Sequence, residues 1–269
     1  MIRHDIQRPD TIRVEHDDRG VVRLTLNRPE IRNAFDDVLI QDLTETLERL
    51  AGEPKARALV ITGEGSAFSA GADINWMKKA GGQGDHDNFQ DAMKLAGLMK
   101  RLDNMPMPTI ARVNGAALGG GVGLTATCDM AIAVSGAVFA FSEVKLGIIP
   151  GAISPYALKA IGERAARRYF LTGERFDADE ALRLGLVHQV AADVAALDAA
   201  VDHLLDHITA SAPTAVRASK ALIDHVAGRP IDDLLVRDTA QRIAHQRAGD
   251  EAREGLSAFL EKRKPNWSA

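Results

Sequence analysis

The chain has 269 residues, 46% hydrophobic and 26% charged, with a net charge of −4 and one cysteine. That balance argues against nucleic acid as the main partner, since a phosphate backbone demands clustered lysine and arginine. No apolar run approaches the roughly 20 residues that span a bilayer, so a membrane span is excluded too. The single Cys128 rules out an internal disulfide framework and fits a reducing cytosol. Residues 1–8 lack the apolar stretch of a secretory signal, and a cytoplasmic protein is expected.

In chain order, residues 21–26 (Val-Val-Arg-Leu-Thr-Leu) read as a strand, with 11–14 as its hairpin partner across Asp17-Asp18-Arg19-Gly20. From Asp36, apolar residues recur at Val38, Leu39, Leu43, Leu47 and Leu50, which predicts a helix ended by Gly52 and Pro54. Residues 57–62 form a buried-looking strand and 63–65 a turn; a helix begins near Asp73, and 80–88 reads as a flexible loop. A further strand spans 109–113, a helix starts within the glycine run and ends at Thr127, and 129–134 is again a strand. Strands alternating with helices predict an α/β fold around a mostly parallel sheet. After about Ile153 the chain turns Ala-, Leu-, Asp- and Arg-rich, predicting helices broken at Gly173, Gly185, Pro213 and 228–230, with a short last strand at 187–190. The C-terminal third carries more apolar positions than one core needs. Residues 205–269 are therefore expected to be a helical oligomerisation region behind a catalytic core of residues 1–204. No internal repeat is apparent.

Three segments carry candidate chemistry. Phe68-Ser-Ala-Gly-Ala-Asp-Ile74 and Asn114-Gly-Ala-Ala-Leu-Gly-Gly-Gly-Val-Gly123 are rich in small residues, which let a backbone approach a ligand with its N–H groups outward. Each has a plain structural alternative, a helix-capping loop around Asp73 and close helix packing in the glycine run. The glycine run lacks the Gly-Lys-Ser/Thr ending of a P-loop, and no G-x-G-x-x-G opens the first βα unit. Glu143 stands between Val138-Phe139-Ala140-Phe141 and Val144, Leu146, Ile148 and Ile149. Such flanks suit a partly buried carboxylate with a raised pKa, able to act as acid and base; a solvated loop carboxylate is the alternative. No G-x-S-x-G surrounds a serine. His203-Leu-Leu-Asp-His207 has metal-pair spacing but no evident third ligand, so no metal site is expected.

Taken together, Leu26-Asn-Arg-Pro29, Asn33-Ala34, Phe68 to Asp73, Asn114 to Gly121, Cys128-Asp129, Phe141-Ser-Glu-Val-Lys-Leu-Gly147, Ile149-Pro-Gly151, Leu171-Thr-Gly173, 181–187 and 259–265 resemble the crotonase (enoyl-CoA hydratase/isomerase) superfamily. The resemblance implies a spiral of ββα units with a C-terminal helical trimerisation region, and a homotrimer or homohexamer. It also implies an acyl-CoA thioester substrate, with coenzyme A as part of that substrate and no separate cofactor. The thioester oxygen would be held by the backbone N–H groups of Ala72 and Gly120, with Glu143 as acid/base. Ala70 falls where the family's backbone meets the adenine, and Arg28 or Arg32 and Lys262 or Lys264 would meet CoA phosphates. Gly71, Asp73, Ile74, Gly119, Gly121, Gly123, Ser142 and Gly151 complete the expected substrate-binding set.

The chain departs from the family's two-glutamate hydratases at one position. Glu143 matches one of the two glutamates, and the other falls on Gly123, which does no acid/base work. A single glutamate suits the family's double-bond isomerases as well as hydration. Gly123-Leu124, Ser142-Glu-Val144 and Ile153-Ser-Pro-Tyr156 resemble bacterial 3-methylglutaconyl-CoA hydratases of leucine and isovalerate catabolism, and their isohexenylglutaconyl-CoA relatives of terpene degradation. The glycine at 123 is expected to free volume beside the β-carbon for a branched substrate. A non-catalytic CoA-binding protein on the same scaffold is the reading from another class.

Overall fold

A computed structural model describes residues 10–268; the N-terminal segment 1–8 read above for a secretory signal lies outside the described residues. Strands β1 (Ile12–His16) and β2 (Val21–Leu26) pair antiparallel, and the Asp17 carboxylate closes their turn by accepting from the Arg19 and Val21 N–H groups. Helix α1 (Asp37–Ala51) starts where the Asp36 side chain accepts from the Leu39 N–H, and buries Leu39, Leu43, Leu47 and Leu50 at the expected spacing.

Three ββα units follow. The first is β3 (Ala58–Gly63), β4 (Ala67–Ser69) and the helices α2 (Ile74–Gly81) and α3 (Asp85–Asp103). The second is β5 (Thr109–Val113), β6 (Ala116–Leu118) and α4 (Gly120–Thr127). The third is β7 (Met130–Val134), β8 (Val138–Ala140), a 3-10 turn at Glu143–Leu146 and α5 (Ser154–Thr172). The chain then runs through β9 (Phe176–Asp177), α6 (Ala178–Leu184), β10 (Gln189–Ala191), α7 (Val194–Ala210), α8 (Pro213–Val226), α9 (Asp233–Ala248) and α10 (Asp250–Leu260).

The first strand of each unit joins a six-stranded sheet ordered β1-β2-β3-β5-β7-β10, parallel except at β1. The second strand of each joins a four-stranded sheet ordered β4-β6-β8-β9. Along β3 the faces alternate: Leu59 and Ile61 point into the core shared with α1 and α3, while Ala58 and Val60 meet Leu197, Val201 and Leu205 of α7. A parallel strand covered on both sides reads as a continuous apolar run, as residues 58–61 do.

Two expectations change. Residues 80–88 are largely helical, since α2 extends to Gly81 and α3 starts at Asp85, leaving only 82–84 between them. The last strand lies at Gln189–Ala191 rather than 187–190, because Val187 is buried beneath it in the main core. Position 205 falls inside α7, whose Leu205 packs on the large sheet.

The amino ends of the parallel strands are tied down by the C-terminal helices. Arg57, one residue before β3, donates to the carbonyls of Thr209 and Ser211 at the end of α7 and to that of Trp267. Arg217 on α8 donates to the Ala56 carbonyl, and Lys220 donates to Asp129 at 2.7 Å and to the Met107 carbonyl. The carboxyl ends of the same strands lead instead into the segments 63–72, 113–120 and 134–143.

Candidate active site

The first turn at the carboxyl end is built on Phe35. Its N–H donates to the Gly71 carbonyl (2.7 Å) and its carbonyl accepts from the Asp73 N–H (2.8 Å), so Phe35 and Ala72 form an isolated parallel bridge. In a parallel bridge these bonds come from the residues flanking Ala72, so the Ala72 N–H faces the opposite way. It has no acceptor among the described residues. Upstream, the buried Asn33 ties the segment together, donating to the Glu64 and Ala67 carbonyls while its own carbonyl accepts from the Ser69 hydroxyl. Asp73 turns its carboxylate to the start of α2, accepting from the Asn75 and Trp76 N–H groups. It serves as the helix cap, while the next residue, Ile74, is 66% exposed.

The second turn lies at the start of α4. Gly119 has φ +48°, in the region that favours glycine, and its N–H donates to the Ala140 carbonyl (2.9 Å). Gly120 is the first residue of α4, and its N–H is one of the donors that a helix start leaves unpaired. Among the described residues it has no acceptor. The two turns touch: a Cβ on Gly71 would lie 2.8 Å from the Leu118 carbonyl oxygen and 3.7 Å from the Gly119 Cα. Gly121 packs on Ser69, where a Cβ would meet the carbonyl oxygen at 2.6 Å.

Glu143 opens the 3-10 turn after β8, with half-buried Ser142 preceding it. A Cβ on Gly119 would come within 3.2 Å of Glu143 Oε1, so glycine there makes room for the carboxylate. Glu143 Oε2 is buried and has no hydrogen-bond partner among the described residues. Burial pushes its pKa above the ordinary glutamate value, against a smaller opposing pull from its own backbone amide. Two neighbouring turns with unengaged N–H groups thus border a carboxyl group that gives up its proton less readily than an ordinary glutamate. That set suits a reaction in which a carbonyl oxygen gains charge while a proton moves beside it.

Gly123 lies elsewhere than expected. A Cβ there would fall 2.3 Å from Ile153 Cγ2 and 3.4 Å from Met99 Cε. The space left by the missing side chain is therefore filled by Ile153, which is 2% exposed, and is not free for a branched acyl group. Sequence reasoning missed Ile153, Met99 and Phe35. Ile153 carried a visible signal, the glycine at 123 that lets a large side chain in. Gly151 sits in an exposed turn between Glu143 and Ile153, its N–H donating to the Ile149 carbonyl.

The expected phosphate contacts divide. Arg28 is folded back on its own loop, with Nη2 at 2.8 Å from Asp36 and Nη1 donating to the Ala34 carbonyl. Arg32 is exposed without a charged partner among the described residues, and its carbonyl accepts from the Ala70 N–H. Lys262 and Lys264 are exposed on a tail held by the Trp267 indole donating to the Ala210 carbonyl, beside Arg57. Within one chain that places them by the amino ends of the strands, away from Glu143.

Other chemistry is not assembled. No group of three or more metal-ligating side chains occurs among the described residues, and His203 and His207 lie exposed on α7. Cys128 is buried, with its thiol pushed up to about 12 by burial. Two cavities of about 380 and 630 Å³ are lined around Asp42 and around Arg168, and neither includes Glu143. No helix among the described residues is long and apolar enough to cross a membrane.

Stacked ββα units with a carboxylate beside a pair of touching small-residue turns define an α/β site suited to moving a proton next to a carbonyl oxygen, and comparison with known proteins gives it a family. The model of the enoyl-CoA hydratase/isomerase family matches residues 16–269. An enoyl-CoA hydratase from Shewanella pealeana superposes with a TM-score of 0.91 at 42% identity, covering 96% of each chain. AtuE of Pseudomonas aeruginosa superposes with a TM-score of 0.92 at 38% identity, covering 97% of this chain and all of its own. The human mitochondrial enoyl-CoA hydratase domain-containing protein 2 is 34% identical over 261 residues, 93% of this chain and 86% of its own. The chain belongs to the enoyl-CoA hydratase/isomerase family, with the crotonase fold, and is an enzyme of that family.

Proposed function

We propose that the protein adds water reversibly across the 2,3-double bond of an enoyl-CoA thioester, with Glu143 as its only carboxylate acid/base. The observation that carries this reading is the buried Oε2 of Glu143, unpartnered among the described residues, on a carboxylate whose Oε1 stands beside Gly119. The N–H groups of Ala72 and Gly120 hold the thioester oxygen as it becomes an enolate. Glu143 takes a proton from water as the water oxygen bonds to the β-carbon, then delivers a proton to the α-carbon as the enolate collapses. Arg32 and the backbone at Ala70 receive the nucleotide end of coenzyme A, which enters only as part of the substrate. Exposed Ile74, Leu146, Ile148 and Ile149 give the site an apolar rim.

The acyl group we favour is 3-methylglutaconyl or a related branched glutaconyl, of leucine, isovalerate or terpenoid breakdown. Its support is the resemblance of residues 123–124, 142–144 and 153–156; the volume argument at Gly123 no longer contributes. Double-bond migration is a second reading, favoured by the apolar wall of Ile153 and Met99 where a second acid/base group would stand. Assay of 3-methylglutaconyl-, crotonyl- and 3-enoyl-CoA separates these. Loss of enoyl absorbance with a higher kcat/KM for 3-methylglutaconyl-CoA supports hydration of that substrate, and migration of 3-enoyl bonds without hydration replaces it.

We also place the working enzyme as a homotrimer or homohexamer in the cytoplasm. Ile231 in the link before α9 and Leu234, Phe259 and Leu260 of the C-terminal helices are each at least 74% exposed, more apolar surface than a monomer usually leaves in water. Lys262 or Lys264 then reaches the nucleotide of a neighbouring subunit. Light scattering that finds a stable monomer at micromolar concentration overturns this assembly.

A further inference from the structure

The loop that carries Glu143 meets α4 at two points one helical turn apart. Gly119 and Gly123 are joined by the hydrogen bond from the Gly123 N–H to the Gly119 carbonyl (3.0 Å). At the first, a Cβ on Gly119 would stand 3.2 Å from Glu143 Oε1; at the second, a Cβ on Gly123 would stand 2.3 Å from Ile153 Cγ2 and 3.0 Å from its Cβ. Ile153 is thus a peg seated in the notch that Gly123 leaves. Between the two contacts residues 145–149 are exposed. Among the described residues the carboxylate has no side-chain tether, and Oε2 has no partner. Its place is therefore set by where the backbone of this loop is held. Helix α5 begins directly after Ile153, breaks at Gly162 (φ +74°) and is capped by Gly173, where a Cβ would meet Val144 Cγ2 and Lys145 Cε, each at 3.2 Å. The seat of Ile153 thus fixes the start of the first segment of α5, and the end of the second segment packs separately under the Glu143 turn.

We propose that Ile153 is a positioning residue, whose side chain in the Gly123 notch holds the Glu143 carboxylate over the two donor turns. Isoleucine suits the task because branching at Cβ leaves it one strongly preferred side-chain rotamer, so the peg is stiff. Valine keeps both the branched Cβ and a methyl at Cγ2, the atoms that meet Gly123, whereas alanine removes the methyl. The proposal rests on the acid/base reading of Glu143, and its test separates the two.

The test measures kcat, KM, pH profile and thermal melting for the wild type, Ile153→Val, Ile153→Ala, Gly123→Ala, the double variant Gly123→Ala/Ile153→Ala and Glu143→Gln, with the best enoyl-CoA of the panel above. Ile153→Ala is expected to lower kcat by about 10- to 100-fold, the scale on which a displacement of about 1 Å acts. KM should stay within about threefold, since substrate contacts are untouched. The acid limb of its kcat profile should move to lower pH as water reaches Oε2. Ile153→Val should keep kcat within about threefold, a one-methylene change being the mildest core truncation. Gly123→Ala should lose activity by expelling the peg, and adding Ile153→Ala should recover part of that loss. An Ile153→Ala protein with unchanged kcat and pH profile but a lower melting temperature makes Ile153 an ordinary core residue and overturns the proposal. If Ile153→Ala fails to fold, Gly123→Ala decides, and wild-type kcat in that variant overturns it equally. An active Glu143→Gln sinks the acid/base reading and this proposal with it. An inactive Glu143→Gln beside an indifferent Ile153→Ala sinks only the positioning role.

Discussion

The large sheet is finished in opposite ways at its two ends. At the amino ends of β3, β5 and β7, Arg57, Arg217 and Lys220 direct their donors to the carbonyls of Ser211, Ala56 and Met107 and to the Asp129 carboxylate. Asp129 in turn accepts from the Thr109 backbone and hydroxyl. At the carboxyl ends, the Ala72 and Gly120 N–H groups lack acceptors among the described residues, and Glu143 Oε2 is buried unpaired. Buried polar groups are normally satisfied, so the unpaired buried Glu143 oxygen marks the carboxyl end as the candidate site. Polar pairing holds the C-terminal helices at one end, and its absence leaves room for chemistry at the other.

The sharpest way to break this contrast is at Glu143. Glu143→Gln keeps the shape and removes the proton transfer, so kcat should fall by about 10²- to 10⁴-fold with thioester affinity nearly unchanged. Turnover within a few-fold of wild type, read by loss of enoyl absorbance, ends the assignment of the carboxyl end as the catalytic one.

Next in size is the backbone donor at Gly120. Gly120→Pro deletes the N–H at the first helical position, where proline is otherwise tolerated, and should cost about 10²- to 10³-fold in kcat. Gly120→Ala is the matched control. It keeps the N–H and adds the same Cβ, which would lie 3.2 Å from the Phe35 ring. The Pro-to-Ala difference isolates the hydrogen bond, and equal rates for the two remove the donor role.

At the other end, Lys220→Met leaves the exposed Asp129 without its cation but with its Thr109 bonds, and should lower unfolding stability by up to about 1 kcal/mol, the range for a solvent-exposed ion pair. Urea unfolding reads this loss, and kcat at a temperature well below the transition should not move. A fall in kcat matching the loss in stability would couple the two ends and blur the comparison.

How much of this was legible in the sequence follows from the same division. The helix cap at Asp36, the stops at Gly173 and Gly185 and the long parallel strands depend on local residue chemistry, and they lie where spacing put them. The second sheet was not legible, because β4, β6 and β8 are three residues each and too short to show a period. Glu143 and the two small-residue turns stood out as apolar flanks and glycine runs. What the sequence misplaced was the meaning of Gly123. A missing side chain suggests a cavity, yet only the three-dimensional path of the loop brings Ile153 into it from thirty positions away. The role of Arg28 was hidden likewise, since its ion pair with Asp36 depends on how the chain bends between them.

The smallest effect concerns stability at the catalytic end itself. Burial raises the Glu143 pKa in the folded chain, so ionising this carboxyl is harder there than in the unfolded chain. The favourable contribution of its neutral form is complete below the unfolded value and is lost as pH rises through the folded one. Above that range the wild type carries a buried charge with no partner for Oε2, which Glu143→Gln does not. The variant should therefore melt above the wild type at pH 8, with each kcal/mol of difference reading as about 2–4 °C in a chain of this size. The gap should close as pH falls and the wild-type carboxyl takes up its proton. Melting curves for both proteins between pH 8 and pH 4, below the ordinary glutamate value, decide the matter. A gap that stays constant, or widens toward acid, would mean that Glu143 is held as a satisfied carboxylate and that the carboxyl end is no less paired than the amino end.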